Sequence, residues 1–181
     1  VFALGEANVY VNGRLLSASD WGAAKAKELF FHLMSVSARR KDQIGSVLWP
    51  DLSPARLRSA FHVTLYRVRR ALGVNDCVLY DGEQYAFNRR LDYYYDVDGF
   101  EKLLAQAEQA MADNAEQAEA CLQEAVALYK GEFLEGMSFS GEDWSLWRRE
   151  ELERRYLSAL QTLGDVRMRR EAYAEALEAY R

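Results

Sequence analysis

Between Ser53 and Gly73 the chain reads SPARLRSAFHVTLYRVRRALG, which carries five arginines and no acid. At about 100° per residue, Leu57, Phe61, Leu65, Val68 and Leu72 fall in one narrow stripe, so a helix here has a single face fit for a core. That stripe fixes the opposite side. It carries Arg56, Ser59, Val63, Tyr66, Arg67 and Arg70, with Arg58 and Arg69 nearer the boundary. Ser53 is placed to cap the first free amides, and Pro54 at the first helical position gives up no hydrogen bond. A solvated helix normally balances its cations with acids at i+4, and none stands there.

The flanking sequence supplies a context for this helix. Val9 and Val11 alternate with polar neighbours up to Asn12-Gly13, a pair suited to the positive φ angles of a type I′ turn, which predicts a hairpin. From Ala24 the period lengthens, and Ala26, Leu29, Phe30, Leu33 and Met34 share one helical face. Ile44, Val47 and Leu48 mark a short second helix, closed at Trp49-Pro50 because a residue before proline is steered out of the α region. After the basic helix and Gly73, CVLY and QYAFN read as a second hairpin turning at Asp81-Gly82. The predicted order is hairpin, three helices, hairpin, with the third helix basic on its outer face. That is the order of a winged helix-turn-helix domain, whose third helix enters a major groove about 12 Å wide.

The formal net charge of −5 hides an uneven distribution. Residues 1–95 hold 13 lysines and arginines against 9 acids, and residues 96–181 hold 10 against 19. Exposed charges farther apart than a Debye length are screened from one another, so an acidic second half leaves a basic face in the first half intact. Two domains are expected, 1–95 and 96–181. The second is helical, with Phe100, Leu103, Leu104, Ala107 and Met111 on one face and Ala118, Leu122, Ala125 and Leu128 on the next. Phe133, Leu134, Met137 and Phe139 make the glycine-bearing loop (Gly131, Gly136, Gly141) too apolar to be an idle linker. Trp144, Trp147, Tyr156, Leu160 and Leu163 are expected to continue a long helix with a core-facing aromatic stripe. Leu163, Gly164, Tyr173, Ala176 and Tyr180 are spaced as in a tetratricopeptide repeat. The second helix of that repeat runs short at Arg181 and Val1 is no initiator methionine, so a fragment is expected, with further repeats following.

These pieces together resemble the Streptomyces antibiotic regulatory protein type of transcriptional activator, an OmpR-like winged helix followed by a bacterial transcriptional activator domain. The resemblance runs through NGRLL, KAKELFFHLM, LWPDLSPARLRSAFHVTLYRVRRALG, YAFN, YYYDVDGFEKLL, ALYKGEFLEG and WSLWRREELERRYLSAL, nearly the whole chain. It implies an α+β winged helix-turn-helix domain followed by an all-α, tetratricopeptide-like domain. By the same resemblance, Arg67 takes the place of a base-reading arginine, with Val63 and Ser59 beside it in the groove. Arg56, Tyr66, Arg69, Arg70, Lys25, Lys27, Arg39, Arg40 and Lys41 are then expected at phosphates and backbone. The implied partners are double-stranded promoter DNA carrying direct repeats, RNA polymerase with its sigma factor, and a second copy of the chain on DNA; no membrane and no cofactor are implied. One departure stands out. Many wings of this family carry an arginine before the glycine turn, whereas Asp81, Gly82 and Glu83 stand here, so either the wing stays off the groove or Arg89 and Arg90 substitute at the backbone.

No enzyme is expected. His32 lies among core-like residues and His62 on the flank of the basic helix, and no phosphate loop, nucleophile elbow or metal-ligand spacing occurs. Cys77 and Cys121 are far apart with no partner spacing. No stretch of about 18 apolar residues exists to span a bilayer and no signal peptide opens the chain, so a cytoplasmic, nucleoid-associated protein is expected. The rival expectation is a scaffold for protein or second-messenger binding whose winged helix no longer reads sequence.

Overall fold

The computed structural model describes residues 1–139, 143–170 and 172–179. Gly141 and Tyr180, part of the pattern expected for the second half, lie outside the described residues. The protein has small sheets in a mixed α+β part and a mostly helical second part. Two compact units emerge, one of residues 8–93 with 138–145 and the other of residues 1–7, 94–137 and 146–181. The chain therefore passes between units at 7/8, 93/94, 137/138 and 145/146 rather than at a single cut.

The unit containing residues 8–93 opens with a hairpin, β1 (Tyr10–Val11) and β2 (Arg14–Leu15), paired Tyr10↔Leu15 and Val11↔Arg14. Asn12 and Gly13 hold φ of 50° and 79° in its turn, both positive as a type I′ turn requires. A four-residue helix α1 (Ala18–Trp21) follows, capped by Ser17. Next come α2 (Ala24–Ser35), a two-residue strand β3 (Arg39–Arg40), α3 (Lys41–Leu48), α4 (Pro54–Leu72) and the hairpin β4 (Val78–Asp81) and β5 (Gln84–Phe87). Neither α1 nor β3 is legible in the sequence, because four and two residues are too few for a period to register. β3 adds to the second hairpin as an edge strand, giving the order β3-β5-β4, with Arg39 opposite Tyr85 and Arg40 opposite Gln84.

The core of this unit gathers on α2. Leu29, Phe30, Phe31, Leu33 and Met34 are all buried, each worth about 1.5–3 kcal/mol relative to exposure. Phe30 meets Trp21 of α1 at 5.5 Å and Phe87 of β5 at 5.9 Å between ring centroids, so one side chain ties three elements together. Ala26, Ile44 and Leu48 are buried as their periods predict. At the contact of α3 with α4 a Cβ on Gly45 would stand 2.3 Å from a Leu57 methyl, so these two helices approach as closely as a glycine allows.

In the helical unit, residues 1–7 run as an extended segment beside residues 130–135. Leu4 bridges Phe133 and Glu6 bridges Glu135. The buried Asp96 carboxylate accepts the amides of Ala3 (2.8 Å), Leu4 (2.9 Å) and Val97 (2.9 Å), and burial raises its pKa despite those bonds. The helices are α5 (Asp96–Ala110), α6 (Ala115–Leu128), α7 (Leu146–Arg169) and α8 (Tyr173–Ala179). α6 packs on both α5 and α7, and α8 packs on α7. Ala107, Leu122, Ala159, Leu163 and Ala179 form their common core. The three alanines among them let the helices approach closely.

The aromatic stripe expected on the long helix is broken. Helix α7 starts only at Leu146, and Trp144 belongs to the segment that packs with the other unit. Trp147 is 54% exposed, and Tyr156 instead stacks on Tyr129 at 4.2 Å. Arg167 and Arg170 grip Glu119 of α6, with an Arg167 Nε to Glu119 Oε1 distance of 3.0 Å, fastening the end of α7 to its neighbour.

Candidate nucleic-acid interface

Helix α4 is positioned by its apolar stripe. Phe61, Leu65 and Val68 are buried and Leu57 and Leu72 half-buried, as the 3.6-residue period predicts; Thr64 joins them by donating its hydroxyl to the Ala60 carbonyl at 2.7 Å. Phe61 sets the orientation. Its ring lies 4.6 Å from Tyr85 of β5, edge to face, so the helix and the second hairpin are locked through one contact. The helix starts at Pro54 and ends at Gly73, which takes a left-handed φ of 68°. Ser53 occupies the N-cap position, but its side chain makes no capping bond, contrary to the sequence expectation: its backbone carbonyl accepts the Leu57 amide at 2.8 Å.

The outer face follows from that packing. Arg56, Ser59, Arg70, Val63 (48%) and Tyr66 (63%) are exposed, and Arg67 is half-exposed. Among the described residues, none of these six side chains makes a hydrogen bond or ion pair within the protein. Two cations and a half-exposed third, a phenol, a small hydroxyl and an aliphatic group thus point their donors and methyls at solvent, unused by the fold. Chemically the set offers a forked donor for guanine or phosphate, further phosphate contacts, and an apolar surface for a thymine methyl. His62 is also exposed on the flank of this face.

Not every cation expected at phosphates is available. The guanidinium of Arg69 folds back under the second hairpin and donates to the Val78 carbonyl at 3.0 Å, so it braces β4 on α4. Lys25 is held by the Leu48 carbonyl at 2.8 Å and by Glu28 at 2.7 Å, and it closes the C-terminal end of α3. Arg89 is bound by the Met34 carbonyl and by the Tyr93 hydroxyl (3.0 Å), so it caps α2 and does not serve the hairpin as a free cation. All three neutralise carbonyl oxygens at element ends, which the sequence could not foretell because the carbonyls are remote in the chain. Arg39 bonds Ser37 and the Ala38 carbonyl, and Arg40 lies 3.3 Å from Asp42. Lys41, the first residue of α3, and Lys27 on α2 are half-exposed.

The second hairpin turns one residue later than expected. Asp81 pairs with Gln84 as the last rung, and Gly82 and Glu83 form the turn with φ of 52° and 68°. Both Asp81 and Glu83 are exposed at the tip. Behind it, burial pushes the Cys77 thiol up to about 11, so it remains protonated at neutral pH. His32 is buried on α2 against the Trp144 ring at 4.9 Å, and burial, aided by the Arg39 charge, brings it down to about 4. No group of three or more His, Cys, Asp or Glu side chains among the described residues could hold a metal ion. No helix among them is long and apolar enough to cross a membrane.

Residues 95–181 match the family model of the bacterial transcriptional activator domain. A comparison with curated proteins gave no match. Among solved structures the fold is similar to Mycobacterium tuberculosis EmbR, seen in complex with a low-affinity phosphopeptide, with a TM-score of 0.72 at 17% identity. That alignment covers 97% of this chain and 46% of the EmbR chain, so the present chain spans about half of the EmbR length.

Proposed function

We propose that this chain, which ends in a bacterial transcriptional activator domain, is a sequence-specific DNA-binding activator of the Streptomyces antibiotic regulatory protein type. The unit of residues 8–93 acts as a winged helix-turn-helix that lays α4 in the major groove of promoter DNA. Arg67, Val63 and Ser59 read base edges. Arg56, Tyr66, Arg70 and Lys41 hold the backbone, with Arg39, Arg40 and Lys27 at its margin. Lys25 and Arg69 are left out of the DNA-contacting set because their charged ends are occupied inside the protein. The helical unit contacts RNA polymerase and its sigma factor, and two copies sit side by side on direct repeats, which raises the affinity that a single module supplies. Such a protein works in the cytoplasm at the nucleoid.

The observation that carries this reading is the outer face of α4: its cations and polar groups stay unpaired while the inner stripe is fully used. Arg67→Ala is expected to cost about 1–3 kcal/mol and to relax base preference, whereas Arg70→Ala weakens all sequences alike and lowers the salt slope by about 1. Equal loss of specificity in both variants would refute the assignment of roles. The exposed acids Asp81 and Glu83 at the hairpin tip favour one rival, a protein-binding scaffold. Absence of a steep fall in DNA affinity with rising salt would decide for it.

A further inference from the structure

In the helical unit α6 packs against both α5 and α7, and between α5 and α7 a groove of about 390 Å³ stays open. That volume lies within the range of sites that take small organic ligands. Its two walls differ in chemistry. Leu104 of α5 and Met111 just past its end, with Leu122 of α6, give an apolar side. Arg154, Ser158 and Thr162 of α7 follow one another at intervals of four, so they line up along one edge of that helix. The Thr162 hydroxyl donates to the Ser158 carbonyl at 2.8 Å, which leaves its oxygen free to accept.

The charges narrow the ligand further. Arg155 also lines the groove but is spent on Glu101, which Arg148 holds as well at 3.1 Å. Arg154 on one wall and Glu108 on the other are exposed, and among the described residues neither side chain has an ion-pair or hydrogen-bond partner. A simple anion would meet Glu108, a simple cation would meet Arg154, and a purely apolar ligand would strip water from both without replacing it.

We propose that this groove binds a small zwitterion with an apolar body, the chemistry of an apolar amino acid or a short apolar peptide with free ends. The carboxylate faces Arg154, the ammonium faces Glu108, and the apolar body lies on Leu104, Met111 and Leu122. Such a site gives the helical unit a chemical input of its own. Its test uses no DNA, so it fails or holds separately from the proposed function.

The probe is the dipeptide Leu-Phe, titrated into the isotope-labelled 181-residue chain and followed by amide chemical shifts. N-acetyl-Leu-Phe-amide, which lacks both charges, is the control. The expected result is saturable shifts confined to residues 104–111, 154–162 and the surroundings of Leu122, with a Kd on the order of 0.1 mM. Arg154→Gln and Glu108→Gln each weaken binding about fivefold, and the blocked dipeptide binds more weakly still. Both replaced side chains are exposed, and far-UV circular dichroism checks that the helices persist. Absence of saturable shifts, shifts centred elsewhere, unchanged affinity in both variants, or equal affinity for the blocked dipeptide would each overturn the proposal.

Discussion

Replacing His32 by leucine should flatten the acid limb of the protein's stability. The imidazole is 6% exposed, packs perpendicular to the Trp144 ring, and has its Nδ1 buried without a hydrogen-bond partner among the described residues. Burial is the main reason its pKa falls from 6.5 to about 4, so the folded state keeps it neutral. Below about pH 6.5 the unfolded chain takes up a proton that the folded chain refuses until about pH 4. Stability is therefore lost as pH falls through that window, and no further loss comes from this group below it. Holding the imidazole's pKa at about 4 instead of 6.5, at about 1.4 kcal/mol per pH unit, gives a loss of roughly 3.5 kcal/mol. Urea unfolding at a series of pH values between 7 and 4 measures it. Tryptophan fluorescence serves as the signal, since Trp21, Trp49 and Trp144 all lie in the unit that contains His32. The carboxylates titrate alike in both proteins, so the difference between wild type and His32→Leu isolates the histidine. Parallel stability curves over that range would show that the buried-neutral account of His32 is wrong.

Other perturbations follow from the same geometry. Phe61→Ala removes the ring that joins α4 to Tyr85 and should cost about 3–5 kcal/mol in the unit of residues 8–93, read by thermal melting; near-normal stability would mean that the helix is rotated from the orientation described. Glu83 sits at φ 68° in the second hairpin turn, so Glu83→Gly should stabilise that unit by roughly 1 kcal/mol, and a loss in urea unfolding would show that the carboxylate contributes more than its backbone costs.

What the sequence made legible was periodic. The stripe Leu57, Phe61, Leu65, Val68 and Leu72 placed the outward-facing side of α4 in advance, because a core can accept only one side of an amphipathic helix. Asn12-Gly13 placed the first hairpin for an equally local reason, the positive φ that its turn needs. What stayed hidden was contact at long range. Lys25, Arg69 and Arg89 read as three more cations in a basic region, yet each ends on a carbonyl elsewhere in the fold, and nothing in a local pattern reports where a helix or strand will leave such an acceptor. Trp144 and Trp147 looked alike in the sequence, yet the segment before α7 takes Trp144 to His32 and leaves Trp147 at the surface.

The measurement that bears most directly on the central claim is selection of binding sites from random-sequence duplex DNA at moderate salt, run in parallel with wild type and Arg67→Ala. The account predicts that wild type enriches a repeated motif and that Arg67→Ala still binds but loses preference at a defined position within it. Enrichment of no sequence by the wild type, or of the same motif with undiminished preference by the variant, would contradict the claim that α4 reads DNA through Arg67.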